Sequence, residues 1–500
     1  MLFRSETVAA PRDLDDQGPS IAPDLSCTKA IGLDAVTTAF MALSHNAAFN
    51  IQKLSPAVSK LAEDFQAAAF DTGIGAEVGV NQSDRDSIST RQRSVSADIT
   101  ATRFLETGTT LSAGAGLSHG QTDPDGASSS EMISATYEAS VRQSLLRGRG
   151  ASVNSASLSK AKLDTSISEQ ELRASASSLA ADSVAAFWDY EYAVRALNVR
   201  LDAVKLADEQ SETVRERIKA GVAAETDIVS ADAEAALQRE LLLNAQASLK
   251  TARLSLLRLL NATPLSWQGD FVTSADSIEL IPADSIDAAN GVEYAKRMRP
   301  EIIQAKLQLE QGRLELVKTK NGWLPKLDAF ISLGGSTYAD SFAIKTNVGS
   351  DLTISAGLTY DYTTGNRSAR ALDRQAQFNE QAKKEAIANI EQLIELDVRT
   401  AAIQVDLMKE KITASAATRA LRETNHRIET ERYIVGRATN LQLTEALQSL
   451  IESRLSELSA RISYRKALIS YYEKEGSLLT RLGIETGSAP ENSMRLSISR

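Results

Sequence analysis

Along LTISAGLTYDY the side chains alternate: Leu352, Ile354, Ala356, Leu358, Tyr360 and Tyr362 are apolar or aromatic, and Thr353, Ser355, Gly357, Thr359 and Asp361 between them are small or polar. A period of two marks a strand with one apolar and one polar face. Five more segments behave alike. GIGAEVGV places Ile74, Ala76, Val78 and Val80 on one face, SVSADITA places Val95, Ala97, Ile99 and Ala101, and TLSAGAGLS places Leu111, Ala113, Ala115 and Leu117. ATYEASVRQSLL does so with Ala135, Tyr137, Ala139, Val141 and Leu145, and LPKLDAFISLGG with Leu327, Ala329, Ile331 and Leu333. These runs are close to the ~9–11 residues that cross a bilayer at a tilt, and the alternation suits a transmembrane barrel with a wet interior. A soluble sandwich alternates too, but six such runs set between helix hairpins favour the barrel. Strands without a closing partner in their own chain need an oligomer, because open edges cannot sit in hydrocarbon.

Elsewhere the period changes to about 3.6. The prolines leave two long tracts free, 125–263 and 326–489. From about Ala151 to Ala220 small or apolar residues recur at steps of three and four, which predicts a helix on the order of 100 Å long. A second helix is expected from about Ala224 to Leu260, and the pair returns at roughly 367–434 and 438–482. Amphipathic helices this long indicate a coiled coil or a helical repeat. By themselves they fit a structural coiled-coil scaffold without channel activity equally well.

Composition narrows the class. Of 500 residues 43% are hydrophobic but only 5% aromatic, which suits long helices better than a bulky aromatic core. A formal net charge of −10 with no basic cluster argues against nucleic acid as a partner. The single cysteine, Cys27, excludes an internal disulfide and a cysteine-based zinc site. The first residues lack a basic segment followed by an apolar one, so they do not read as a secretory signal. PDLS before Cys27 also makes a poor lipidation site. Export then implies a start further upstream or prior processing. No apolar run approaches the ~18 residues of a membrane-spanning helix, so any spanning structure must be made of strands.

The two halves repeat. RIKAGVAAETDIVSA, Arg217 to Ala231, returns as RYIVGRATNLQLTEA, Arg432 to Ala446, with Arg, Gly, an apolar residue and Ala all displaced by 215 (432 − 217). At the start of each half MALSHNAAF faces YAKRMRPEI, Asn46 on Arg299, a displacement of 253 (299 − 46). The first half is therefore longer in its strand region, where SVSADITA and TLSAGAGLS form an extra pair joined near LETGTT. The segments read as an N-terminal extension 1–30; a first repeat 31–261, with strands about 73–146 and long helices about 150–220 and 223–260; an inter-repeat equatorial segment 262–290; a second repeat 291–484, with strands about 326–362 and helices about 366–434 and 438–482; and a tail 485–500.

With MRPEI at Arg299-Pro300, GWLPKLDAF at Pro325 and RYIVGRATNLQL, residues 30–485 resemble the TolC family of outer-membrane efflux and secretion channels. Two departures stand in the first half: Ala47 replaces the usual proline, and no Leu-Pro precedes Ile74. The resemblance implies an α+β membrane protein, with a two-fold internal repeat of strand pairs and long coiled-coil helix hairpins, assembled as a homotrimer with a shared β-barrel above an α-helical barrel. It implies a passive exit duct in outer-membrane lipid, its helical part in the periplasm, working with a periplasmic adaptor protein and an inner-membrane transporter in a tripartite efflux pump or type I secretion system. Four strands per chain give the family's 12-stranded barrel. Six give 18, unless the extra hairpin extends outside the barrel; the smaller barrel is preferred.

The resemblance also places the repeated R-x-x-x-G turns at the periplasmic tips of the hairpins, where the tunnel closes and the adaptor docks. Arg217, Gly221, Val222, Arg432, Gly436 and Arg437 are the adaptor-contacting candidates. The glycines let the chain reverse without a Cβ clash, and the arginines cap helix ends or meet partner carboxylates. The same motif could equally be a helix cap and nothing more. Just beyond, Asp227, Gln442 and Glu445 fall where the family often lines the pore with carboxylates, and one carboxylate per chain becomes a ring of three on the axis. Because Gln442 is not acidic, the constriction is expected at Glu445, with Asp227 outside it. Packing near Tyr433 is expected to hold the closed state.

Chemistry is otherwise sparse. His45, His119 and His426 are too far apart in pattern for a metal triad, and there is no H-E-x-x-H. GIGAEVG lacks dinucleotide spacing, RGRG has no following Lys-Ser/Thr, and no nucleophile constellation is found. No enzyme, cofactor or metal is expected.

Overall fold

The computed structural model describes residues 31–85, 90–124, 128, 130–261, 271–273, 286–339 and 349–484. The extension 1–30 with Cys27, most of the inter-repeat segment 262–290, and the tail 485–500 lie outside the described residues.

Strand β1 (Ile31–Leu33) leads into α1 (Ala35–His45), where Asp34 and Thr37 form a capping box. At Asn46 the backbone leaves helical geometry for one residue (φ −64°, ψ 118°), and the chain restarts as α2 (Ala47–Gln52) and α3 (Ser55–Ala67). Four strands follow, β2 (Thr72–Arg85), β3 (Thr90–Phe104), β4 (Thr109–Pro124) and β5 (Ser130–Ser144), then α4 (Ala151–Asn154), α5 (Ala156–Lys219) and α6 (Thr226–Leu260). Strand β6 (Phe271–Thr273) pairs in parallel with β1. The second repeat has α7 (Ala288–Met298), a break at Arg299 (φ −64°, ψ 131°), α8 (Pro300–Gly322), β7 (Lys326–Ala339), β8 (Gly349–Asp361), α9 (Arg367–Ile434), α10 (Asn440–Glu475) and the short α11 (Leu478–Arg481).

Asn46 and Arg299, matched in sequence, thus make the same break by different means. At Asn46 the side chain accepts from the Phe49 N–H, doing for α2 what the missing proline does for α8, where Pro300 opens the helix. Two expected helices are shorter than their periodicity. The first breaks at Ser155, whose hydroxyl donates to the Ala151 carbonyl and competes with the helix ladder. The last stops at Gly476 (φ 83°), a left-handed position that an L side chain resists.

All six alternating segments are strands of one antiparallel sheet, ordered β2-β3-β4-β5-β7-β8. The extra hairpin β3–β4 lies inside this sheet and is paired on both sides along its length. Its turn is held against the start of the helices: Gly108 (φ 87°) packs so closely on the Gly148 carbonyl that a Cβ would fall 2.2 Å from that oxygen.

Helices hang from one side of the sheet, packed edge to edge as a layer four wide. Beneath the strands the order is α3, α5, α8, α9; at the far end it is α6, α5, α10, α9. Mid-way the layer thickens around Leu43, Val184, Phe187 and Leu256, all fully buried, and Val398 and Ile302 of the second repeat. Each large side chain there contributes about 1.5–3 kcal/mol by leaving water. Toward the far end the core narrows to Ala203, Ala207 and Ala235 against Leu447 and Ile451, small residues that let the helices approach closely. Among the described residues no helix is long and apolar enough to cross a membrane.

Candidate functional site

Farthest from the sheet, both hairpins end in the same backbone device. At the end of α5 the Val222 N–H donates to the Arg217 carbonyl and the Gly221 N–H to the Ile218 carbonyl; at the end of α9, Arg437 donates to Arg432 and Gly436 to Tyr433. Both pairs are Schellman bonds, and both glycines sit at φ 74°. The repeated R-x-x-x-G spacing is therefore the spacing of that motif, with Arg at the residue whose carbonyl receives the outer bond and Gly at the left-handed residue.

The side chains then part. Arg217 crosses from the first hairpin to the second and donates to the carbonyls of Tyr433 (2.7 Å) and Ile434 (2.8 Å), with its guanidinium 4.7 Å from the centre of the Tyr433 ring. Those carbonyls belong to the C-terminal end of α9, where the helix dipole favours a cation. Tyr433 is buried with Val214, Ala231 and Leu443, and burial pushes its hydroxyl above the usual phenol range. Arg432, the equivalent of Arg217, stays on its own hairpin, paired with Glu429 and the Arg437 carbonyl.

A second tie lies one turn further in. Asn440, buried at the start of α10, accepts from Gln210 of α5 (2.8 Å) and donates to Ser230 of α6 (2.8 Å) and to the Asp227 carbonyl (3.2 Å). Gln210 also donates to Thr444. Beyond it Glu234, again buried, accepts from Gln448 across the hairpins (2.6 Å). Asn440, Gln210 and Glu234 are buried, and buried polar groups are costly to leave unpaired.

Of the constriction candidates, Gln442 closes a capping box with Thr439, so its amide is committed to its own helix end. Asp227 is half-buried under the Asn440 tie, while Glu445 is exposed and its carboxylate has no partner among the described residues. Val222 is exposed at the tip, and so are Ile434, Val435 and Leu441, which sequence periodicity did not single out. Asn440 and Gln210 were also missed. The one signal for Asn440 is that it breaks the repeat, facing Glu225 at a displacement of 215 (440 − 225). Among the described residues no group of three or more His, Cys, Asp or Glu is placed to hold a metal ion.

The sequence pattern of the outer membrane efflux protein family matches residues 292–473, nearly all of the second hairpin and most of the second repeat. That stretch of the chain carries the pattern of the family. Solved channels share the fold across both repeats. The outer-membrane channel OprN is 15% identical over 88% of this chain and 89% of its own, with a TM-score of 0.66. A membrane protein from Pseudomonas aeruginosa is 18% identical over 90% and 95%, TM-score 0.66, and the CmeC outer membrane channel of Campylobacter jejuni 12% identical over 89% and 86%, TM-score 0.67. No curated protein matches the sequence.

Proposed function

We propose that this chain forms the homotrimeric exit duct of a tripartite pump, held shut at its periplasmic end by ties between the two hairpins of each subunit and opened when an adaptor and an inner-membrane transporter engage the tips. The Arg217 bridge onto the end of α9 carries the reading. It joins the hairpins where they are thinnest, by bonds that a partner at the tips can replace. The exposed apolar cluster of Val222, Ile434, Val435 and Leu441, with Arg437 beside it, suits an adaptor that brings apolar side chains and a carboxylate. Gly221 and Gly436 give that surface its shape.

Opening swings α9 and α10 away from α5 and α6. On the three-fold axis of the closed state Glu445 supplies a ring of three carboxylates that favours cations. Asp227, beneath the Asn440 tie, stands outside the ring.

A disulfide across the second tie tests this. Ser230 and Asn440 already touch at 2.8 Å, so a Ser230→Cys, Asn440→Cys channel, oxidised, should insert normally, stay at its low resting conductance and lose export, with recovery on reduction. Undiminished export through the oxidised form would refute gating by hairpin separation.

A further inference from the structure

We propose that all six strands of every subunit enter the shared barrel, so that three copies close an 18-stranded wall, and the exit through the outer membrane is as wide as the helical tube below it. The inference rests on the trimeric channel reading and goes beyond it.

The first ground is the position of the extra hairpin. β3 and β4 are the second and third strands of the sheet, paired residue by residue with β2 on one side and β5 on the other. They are not an appendage. The second ground is the pattern that the pairing produces. One row across the sheet reads Ile74, Ala101, Ala113, Ala139, Leu333, Ile354, apolar at all six strands, and the neighbouring row on the opposite face reads Gly75, Thr100, Gly114, Glu138, Gly334, Thr353. A hairpin standing clear of the membrane has no reason to match its neighbours in this way. A strand facing lipid on one side and water on the other must.

The third ground is closure. Strands alternate in direction, β2 running away from the helices and β8 returning to them, so β8 of one copy meets β2 of the next antiparallel. Both edge strands are outermost in the single chain and carry exposed apolar side chains, Ile74 and Val78 on one and Ile354 and Leu358 on the other. Open edges of that kind are not tolerated in hydrocarbon, and the occupant that fits each is the other edge of a second copy.

The fourth ground is width. At a spacing of about 4.8 Å and a tilt of about 40°, 18 strands enclose a barrel about 36 Å across, and 12 strands one of about 24 Å. Three copies of the four-wide helical layer form a ring of 12 helices, which at about 9 Å apart measures about 35 Å. Six strands per copy let the helices run into the wall without a funnel. The exit then has roughly three times the open cross-section of a 12-stranded one, which admits bulkier cargo.

Spin labels decide it. On a Cys27→Ser background a Ser332→Cys label sits on the polar face of β7, a strand common to both arrangements. In the detergent-purified trimer three-fold mates should lie about 31 Å apart for 18 strands and about 21 Å for 12. Deleting residues 88–127 removes β3 and β4 and joins the outer ends of β2 and β5; the distance should fall by about 10 Å. A full-length trimer already at about 21 Å overturns the proposal while leaving the channel intact, and that measurement stands even if the deletion does not fold. A chain with no mate-to-mate distance, because it is monomeric, overturns the trimeric reading instead.

Discussion

The two hairpin tips share one backbone and differ in what their side chains do. Each helix ends in a Schellman pair with glycine at φ 74°. Yet Arg217 reaches over to the second hairpin, and Arg432 turns back to Glu429 on its own. The helices that leave the tips differ as well: α10 begins with the Thr439–Gln442 capping box, while α6 has no side-chain cap. An internal repeat keeps the geometry that reverses the chain, since only a narrow set of backbone angles does so. Side chains are free to diverge, and here they make the first tip the anchor and the second tip the part that is held.

The largest effect should therefore separate the two arginines. Arg217→Ala removes two charge-assisted bonds, each worth about 1.5–3 kcal/mol when shielded and less at this partly exposed site, and a cation–π contact of about 0.5–1 kcal/mol. The resting conductance of purified trimers in planar bilayers should rise about tenfold or more, with the fold intact by circular dichroism. Arg432→Ala should change it less than twofold, because the pair it breaks is local to its own hairpin and half-exposed. Equal responses from both variants would sink the division into anchor and held tip.

Asn440→Ala should come next. It removes the bonds that join Asn440 to Gln210, Ser230 and the Asp227 carbonyl, and because Gln210 keeps Thr444 and the exposed Ser230 keeps the Asp227 carbonyl, the cost should be about 1 kcal/mol; Glu225→Ala, at the matching place in the first repeat, should cost almost nothing. Thermal unfolding and tip amide exchange, followed together, check the pair; similar losses would mean that the polar tie is not the source.

Where the comparison predicts sameness it can also be broken. Gly221→Ala and Gly436→Ala each force an L side chain into the left-handed region, at about 1–2 kcal/mol. Neither Cβ meets an obstruction, since nothing lies within 4 Å of the first and the nearest atom to the second, on Arg217, is 3.8 Å away. Amide exchange should quicken to a similar degree at both tips. A tenfold difference between them would show that the two turns are not equivalent.

Much of this was legible in the sequence, for reasons tied to particular residues. Period-two alternation identified all six strands, because each keeps its apolar side chains on one face, and the Arg-Gly spacing located both tips, because a Schellman turn places its glycine at a fixed distance from the helix end. The breaks at Ser155 and Gly476 were not visible, since a helix that ends by hydroxyl competition or a left-handed residue keeps its apolar period up to the break. The Asn440 tie was hidden for a different reason. Its partners Gln210 and Ser230 lie 230 and 210 positions away, and polar residues on a long helix look alike whether they face water or another hairpin. The same holds at Gln442, whose place in the repeat suggested the pore although its amide caps a helix.

The smallest expected effect concerns the carboxylate ring. Glu445 is exposed and Gln442 is engaged at its own helix end, so of the two only Glu445 has a charge to offer the proposed ring, and it does so in water. Charges there interact with an energy of about 1 kcal/mol at 4 Å, and the field fades over about 8 Å at physiological salt. Glu445→Gln should thus lower the cation preference a few-fold in dilute salt, read as a shift in reversal potential across a salt gradient, and leave it nearly unchanged at about 1 M, where the screening length is about 3 Å. Asp227→Asn should do neither, since the proposed ring leaves Asp227 outside it. If Asp227→Asn shifts the reversal potential and Glu445→Gln does not, the constriction belongs to the first hairpin, and the tip that anchors the closed state also selects what passes it.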